Sequence, residues 1–217
     1  MRRYPNEKRP GLPDRAAGRK GDHMDNRTHK ETDTRLIAMI GLMAALVFVG
    51  SKIEIRFPTI LGVSRFHLGN GLCLLSGYLL GAVSGGLAAG FGSFLFDVVF
   101  WRGSPAGWIV TFATKFLMGF VGGLCFRKHM FRKFGLVPEL ILCGILGEAA
   151  YIAGYLAKEF VTYRFIMGSP MSAVSLMMVE KLASSAVNAV IAIVVSIVLY
   201  TVLKPVLAKS GLLYDRK

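Results

Sequence analysis

Five ionisable side chains stand inside long apolar runs: Asp97, Lys115, Glu148, Glu180 and Lys181. A charge at mid-bilayer costs ~2.5–3.5 kcal/mol on insertion scales, so such groups face inward and find partners. Three kinds of chemistry fit them. They suit structural ion pairs, such as Lys115 with Glu148, or Glu180 with a base on a neighbouring helix. They also suit the lining of a polar substrate pocket and, less readily, a proton relay. Aromatic company favours the pocket, because Tyr151, Tyr155, Tyr163, Trp101 and Trp108 can stack on a flat ring. His67 and Asn70 open an apolar segment and can close such a pocket from above, although a histidine at a helix start also serves as an N-terminal hydrogen-bonding group. Asn188 follows two turns beyond Lys181.

Catalysis finds less support. Ser93, flanked by Gly90 and Gly92, resembles the serine of an intramembrane protease, but that chemistry needs a base on a partner helix. The histidines are His23, His29, His67 and His129, none within an apolar run. Asp97 has no second membrane aspartate to pair with. No Walker A motif is present, and no His/Cys set has metal spacing. Cys73, Cys125 and Cys143 form no CxxC pair and read as small buried hydrophobes. The expectation is a non-enzyme with no metal and no cofactor.

The elements that must hold these residues are membrane helices. The chain has 217 residues, 53% hydrophobic, with mean hydropathy +0.52. A soluble domain is nearer 45–50% apolar. The excess lies in uncharged runs, which predict an all-α integral membrane protein. The net charge of +13 does not point to nucleic acid, since 10 of the 26 Lys/Arg fall in the first 35 residues and most others at helix ends. Residues 1–34 are expected to be a disordered basic tail, 35–205 a six-helix membrane domain and 206–217 a short second tail. No cleavable signal peptide is expected, and Met24 is an alternative start.

The six predicted spans are 36–53, 68–80, 81–101, 108–126, 138–163 and 172–203, with a long outer loop at 54–66. Six spans put both termini on one side, and the Lys/Arg bias makes that side cytoplasmic. Residues 68–80 are short for a span, so this helix is tilted or begins within the protein. Gly81, Gly85, Ala89, Ser93 and Asp97 recur every four residues, a close-packing seam that ends at a carboxylate. At 1.5 Å per residue, Lys115 lies roughly 10–12 Å and Glu148 about 15 Å from the nearer helix ends, so both are near the midplane.

The order and spacing of several segments resemble the substrate-binding S components of energy-coupling factor (ECF) transporters. These are RLIAMIGLMAALVFVG at 35–50, HLGN at 67–70, LLGAVSGGLAAGFGSFLFDVV at 79–99, TFATKFLMGFVGGL at 111–124, GEAAYIAGY at 147–155 and NAVIAIVVSIVLY at 188–200. The resemblance implies a six-helix bundle in the bacterial plasma membrane that captures a water-soluble vitamin or precursor from outside, of the riboflavin or hydroxymethylpyrimidine kind. It implies as partners a membrane coupling subunit and two ATPase subunits. It points to Lys115, Glu148, Tyr151, Tyr155 and Glu180 as pocket residues, with Asn188 deeper and His67, Asn70 and Asp97 near the mouth. The family docks through an Ala-xxx-Ala pattern on helix one, for which Gly41 and Ala45 are the nearest equivalent here. The competing expectation is a stand-alone proton-coupled carrier using Lys115, Glu148 and Glu180. The small size and the lack of an internal repeat count against it.

Overall fold

The computed structural model describes residues 15–59, 62–100 and 103–209, with side chains for 34–55, 67–100 and 103–209. Trp101, the first 14 residues and the tail beyond Lys209 lie outside the described residues. In chain order the elements are α1 (Arg15–Lys52), β1 (Glu54–Thr59), β2 (Gly62–His67), α2 (Gly69–Leu80), α3 (Ala82–Val99), α4 (Pro105–Arg127), α5 (Leu136–Val161) and α6 (Met171–Lys209). The chain divides into two units, Met1–Arg35 and Leu36–Lys217. In the first, helix begins at Arg15, where the sequence predicts an irregular tail over 1–34. Between Arg15 and Thr34 there is no proline, and Ala, Arg and Lys are good helix formers. The second unit holds the helical bundle.

Five helical stretches are long and apolar enough to cross a membrane: Thr34–Lys52, Ala82–Val99, Pro105–Arg127, Leu136–Ile166 and Met171–Lys209. The remaining helix, α2, has 12 residues, about 18 Å of rise. Every α2 residue except Leu72 is buried. It is therefore the centre of the bundle, with α3, α4 and α6 packed around it. A helix wrapped by protein need not match the thickness of a bilayer. Large apolar side chains on the outer helices, such as Val190, Val194 and Val198 of α6, point outward and are more than half exposed. That is the surface a membrane protein presents to lipid.

Missing side chains set the close packing of α2, α3 and α4. A Cβ on Gly85 would sit 2.5 Å from Gly77 Cα and 2.5 Å from Ser76 O. One on Gly119 would lie 3.0 Å from Gly85 O and 3.2 Å from Ala89 Cβ. Ser76 Oγ also donates to Gly85 O at 2.8 Å, fastening α2 to α3. The row Gly85–Ala89–Ser93 is thus the seam its spacing predicts. Gly81, at φ 85°, makes the sharp break between α2 and α3.

The long loop expected over 54–66 carries regular structure on either side of residues 60–61, which lie outside the described residues. Glu54–Thr59 and Gly62–His67 pair as an antiparallel hairpin, from Glu54 opposite His67 to Thr59 opposite Gly62. A two-stranded ribbon pairs the backbone groups on its inner edges, and Pro58 is tolerated because each strand also keeps an outer, unpaired edge. The start of α4 also moves, to Pro105, because Ser104 caps it by accepting from Gly107 N at 3.2 Å and Pro105 occupies the first turn.

Candidate functional site

A cavity of about 630 Å³ opens at the hairpin end of the bundle. Every helix but α2 lines it, and the hairpin supplies Glu54 and His67. Volumes of this order suit small organic ligands. Three clusters of side chains give the cavity its chemistry.

The first is the inner wall. Lys115 on α4 is 4% exposed and lines the cavity. Its ammonium donates to Asn70 Oδ1 of α2 and lies 3.7 Å from the centroid of the Tyr151 ring. Tyr151 and Tyr155, one turn apart on α5, have ring centroids 6.0 Å apart at an interplanar angle of 17°. Together they make a near-continuous aromatic face on one wall. Asn188 of α6 also reaches the cavity, and its buried Oδ1 has no hydrogen-bond partner among the described residues.

The second cluster lies behind that wall. Glu148 is 2% exposed and stands outside the lining. It is close enough to Lys115 and Asn70 for electrostatic interaction, yet neither of its oxygens receives a hydrogen bond among the described residues. The direct Lys115–Glu148 contact considered from the sequence is therefore replaced by Lys115–Asn70, with Glu148 as a nearby countercharge. Asn70 also stands outside the lining and acts on the cavity by holding Lys115. Asn70→Leu should leave the buried ammonium without its acceptor. A lost hydrogen bond to a charged group costs about 1.5–3 kcal/mol, so a lowered thermal unfolding midpoint is expected in purified protein.

The third cluster is the rim. Asp97, at the end of the α3 row, lies against Thr111 of α4. Lys158 and Glu159 pair at 2.7 Å on α5. Lys181, Ser184 and Ser185 come from α6. Glu180 does not line the cavity. Residues advance about 100° each around a helix, so Glu180 and Lys181 cannot share a face. Lys181 and Asn188, seven apart, differ by only about 20°. That spacing is the signal by which Lys181, Ser184 and Ser185 could have been chosen over Glu180 from the sequence.

His67 sits where the hairpin meets α2, half-buried, with its Nδ1 enclosed and unpartnered among the described residues. Burial lowers its pKa from 6.5 to about 3, helped by the nearby Lys115 charge and opposed by Glu54. The imidazole is thus neutral in the folded protein at any physiological pH. Between about pH 3 and 6.5 the unfolded chain binds the extra proton and the folded chain does not, so this group lowers stability as pH falls below 6.5 and contributes nothing above it. Thermal unfolding from pH 4 to 8 should show a smaller loss on the acid side in His67→Gln than in the native protein.

At the other end of the bundle, Tyr78 donates to Leu140 O at 2.9 Å and Arg127 donates to Leu80 O at 3.2 Å. Both side chains are spent on fastening helices to one another. No group of three or more His, Cys, Asp or Glu among the described residues could hold a metal ion.

The sequence matches the family described as the ECF-type riboflavin transporter, S component, over residues 31–205. The chain belongs to this family. A solved structure of the S component of a bacterial ECF transporter superposes with a TM-score of 0.53 at 18% identity, covering 81% of this chain and 98% of that one. At that identity the likeness speaks for the fold. No curated protein matches the chain. As an S component, the chain is a multi-pass membrane protein of a transporter family and not of an enzyme family. Gly41 and Ala45, the expected docking pair, are both exposed on α1, and a Cβ on Gly41 would meet nothing within 4 Å.

Proposed function

We propose that this S component binds a flat, water-soluble vitamin of the riboflavin class in the cavity at the hairpin end. That end faces outward, all six helices cross or fill the membrane, and both termini are cytoplasmic. The ligand is delivered inward in concert with a coupling subunit and two ATPase subunits, docked through the small-residue face at Gly41 and Ala45. The observation that carries this reading is the wall formed by Lys115, Tyr151 and Tyr155. A stacked aromatic face beside a buried donor suits a ring that is apolar on its faces and polar on its edge. Asn188 adds an unused acceptor on the facing helix.

In this arrangement the chain's residues bind and orient cargo. Tyr151 and Tyr155 offer the stacking surface, Lys115 and Asn188 read the edge, and His67 remains a neutral closing group. Family membership and a proton-coupled carrier predict opposite outcomes in liposomes. The chain alone should not accumulate riboflavin under a pH gradient, whereas the chain with its coupling subunit and ATPases should do so with ATP. Gradient-driven uptake by the chain alone would favour the carrier instead.

A further inference from the structure

We infer that the corner joining α4 to α5, residues 128–135, is a docking surface for the headgroups of anionic phospholipid, which Lys128, Arg132 and Lys133 hold while Phe134 enters the lipid boundary. The corner lies at the end of the bundle away from the cavity, and none of its residues lines that cavity. In the reading above this end is the cytoplasmic one.

The corner is closed by its own backbone. His129 N donates to Phe126 O at 3.1 Å, Arg132 N to His129 O at 3.2 Å, Phe134 N to Phe131 O at 3.0 Å and Gly135 N to Arg132 O at 3.1 Å. His129 and Gly135 take positive φ, 49° and 94°, at its two bends. Phe131 packs against the core, and His129 Nδ1 lies 3.4 Å from the buried Glu139. What the corner presents outward is mixed in character. Lys128, Arg132 and Lys133 are exposed, and beside them Met130 and Phe134 are each more than half exposed. Neither Lys128 nor Arg132 has a hydrogen bond or ion pair among the described residues. The neighbouring Arg127, by contrast, is engaged with Leu80 O.

The acids of the second unit, as far as Lys209, are Glu54, Asp97, Glu139, Glu148, Glu159 and Glu180. Glu54, Asp97 and Glu159 line the cavity at the far end. Glu148 is buried about 18 Å along α5 from its first residue. Glu180 stands about 30 Å along α6 from Tyr200, whose ring packs on Phe126 at the corner's end. Glu139 alone is close, and it is 3% exposed and turned to His129. Lys204 adds a further cation at this end, beside Tyr200. Within this unit the corner therefore carries positive charge that no exposed carboxylate offsets. Its position then names the occupant. The helices on either side, Pro105–Arg127 and Leu136–Ile166, are both long and apolar enough to cross a membrane. A short corner folded on itself keeps its side chains in the headgroup layer that those helix ends reach, and anionic headgroups attract Lys and Arg there. Cations interleaved with exposed apolar side chains match a boundary that is charged above and apolar below. A free phosphate or an acidic soluble surface would use the cations alone.

The test uses the purified full chain in neutral detergent, titrated with phosphatidylglycerol and with phosphatidylcholine of the same acyl chains. Bound lipid is read by native mass spectrometry and stabilisation by the thermal midpoint. The native chain should bind phosphatidylglycerol ~10-fold or more tightly than phosphatidylcholine, and rising salt should shrink that preference. A cation near an anionic lipid surface is worth about fivefold in affinity. Lys128→Gln with Arg132→Gln should therefore weaken phosphatidylglycerol ~20-fold and phosphatidylcholine by less than about twofold. Lys52→Gln with Arg164→Gln removes two exposed charges at the cavity end and should leave both lipids unchanged. Equal affinity of the native chain for the two lipids, a preference that salt does not alter, or equal losses in the two double variants would overturn the assignment. So would an equal rise of the midpoint with glycerol 3-phosphate or with polyglutamate, since the cations alone would then suffice. The comparison of lipids and salts in the native chain stands even where a variant does not fold, and none of these outcomes depends on whether riboflavin binds.

Discussion

Lys115→Met is expected to reduce ligand affinity by about 100-fold, and adding Glu148→Gln should restore stability without restoring affinity. The ammonium makes two contacts at the inner wall, a hydrogen bond to Asn70 and a cation–π contact with Tyr151. Desolvated, these are worth about 1.5–3 and about 2 kcal/mol respectively. A ligand that displaces or shares either contact loses its main polar anchor when Lys115 is replaced. Methionine keeps the length and fills the space, so the packing survives. Glu148 is then left buried and deprived of its countercharge. Removing one member of a buried charged set costs about 3–5 kcal/mol, whereas replacing both can be neutral. The single variant should therefore unfold at lower temperature and the double variant near the native value, while both fail to bind. If the double variant recovers affinity with stability, Lys115 is a structural residue.

Gly85→Leu is expected to prevent the bundle from assembling, and Gly85→Ala to destabilise it by about 1–3 kcal/mol, the usual cost of overpacking. The added carbon would fall on the backbone of Gly77 and Ser76, so no side chain can rotate away. α2 and α3 would have to separate, breaking the Ser76–Gly85 hydrogen bond. Because α2 is wrapped by its neighbours, the displacement would spread to α4 through Gly119, whose own Cβ position abuts Gly85 O. Gly41→Ala is the matched control, since open space surrounds that position. It should leave thermal unfolding unchanged. Gel filtration and thermal unfolding in detergent distinguish the two glycines.

Much of this fold is legible in residue spacing. The four-residue recurrence from Gly81 to Asp97 announces a seam, and α3 buries it because small side chains at that interval let backbones touch. The membrane helices are legible because lipid demands long uncharged runs. The hairpin is not. Ile55 and Phe57 alternate as strand residues do, but Pro58, Gly62 and the charges of this segment also suit a loop, and pairing depends on a partner strand that the local pattern does not specify. The cavity is legible in part. Lys115, Tyr151, Tyr155, Asn188, His67 and Asp97 line it, because polar groups on apolar helices must turn inward. Glu148 and Asn70 turn inward too, but behind the wall, a difference of one helix face. Glu180 is misplaced for a simpler reason. Two adjacent charges look equivalent in a sequence, and only the angular spacing to Asn188 separates them.

Whether the cavity is a flavin site is decided by titrating the purified full chain with riboflavin, following flavin fluorescence in the native protein and in Lys115→Met/Glu148→Gln. Saturable one-to-one binding with submicromolar affinity is expected, lost in a double variant that remains folded. Absence of binding by the native chain, or undiminished binding by the folded double variant, would contradict the assignment of the Lys115–Tyr151–Tyr155 wall as the ligand site.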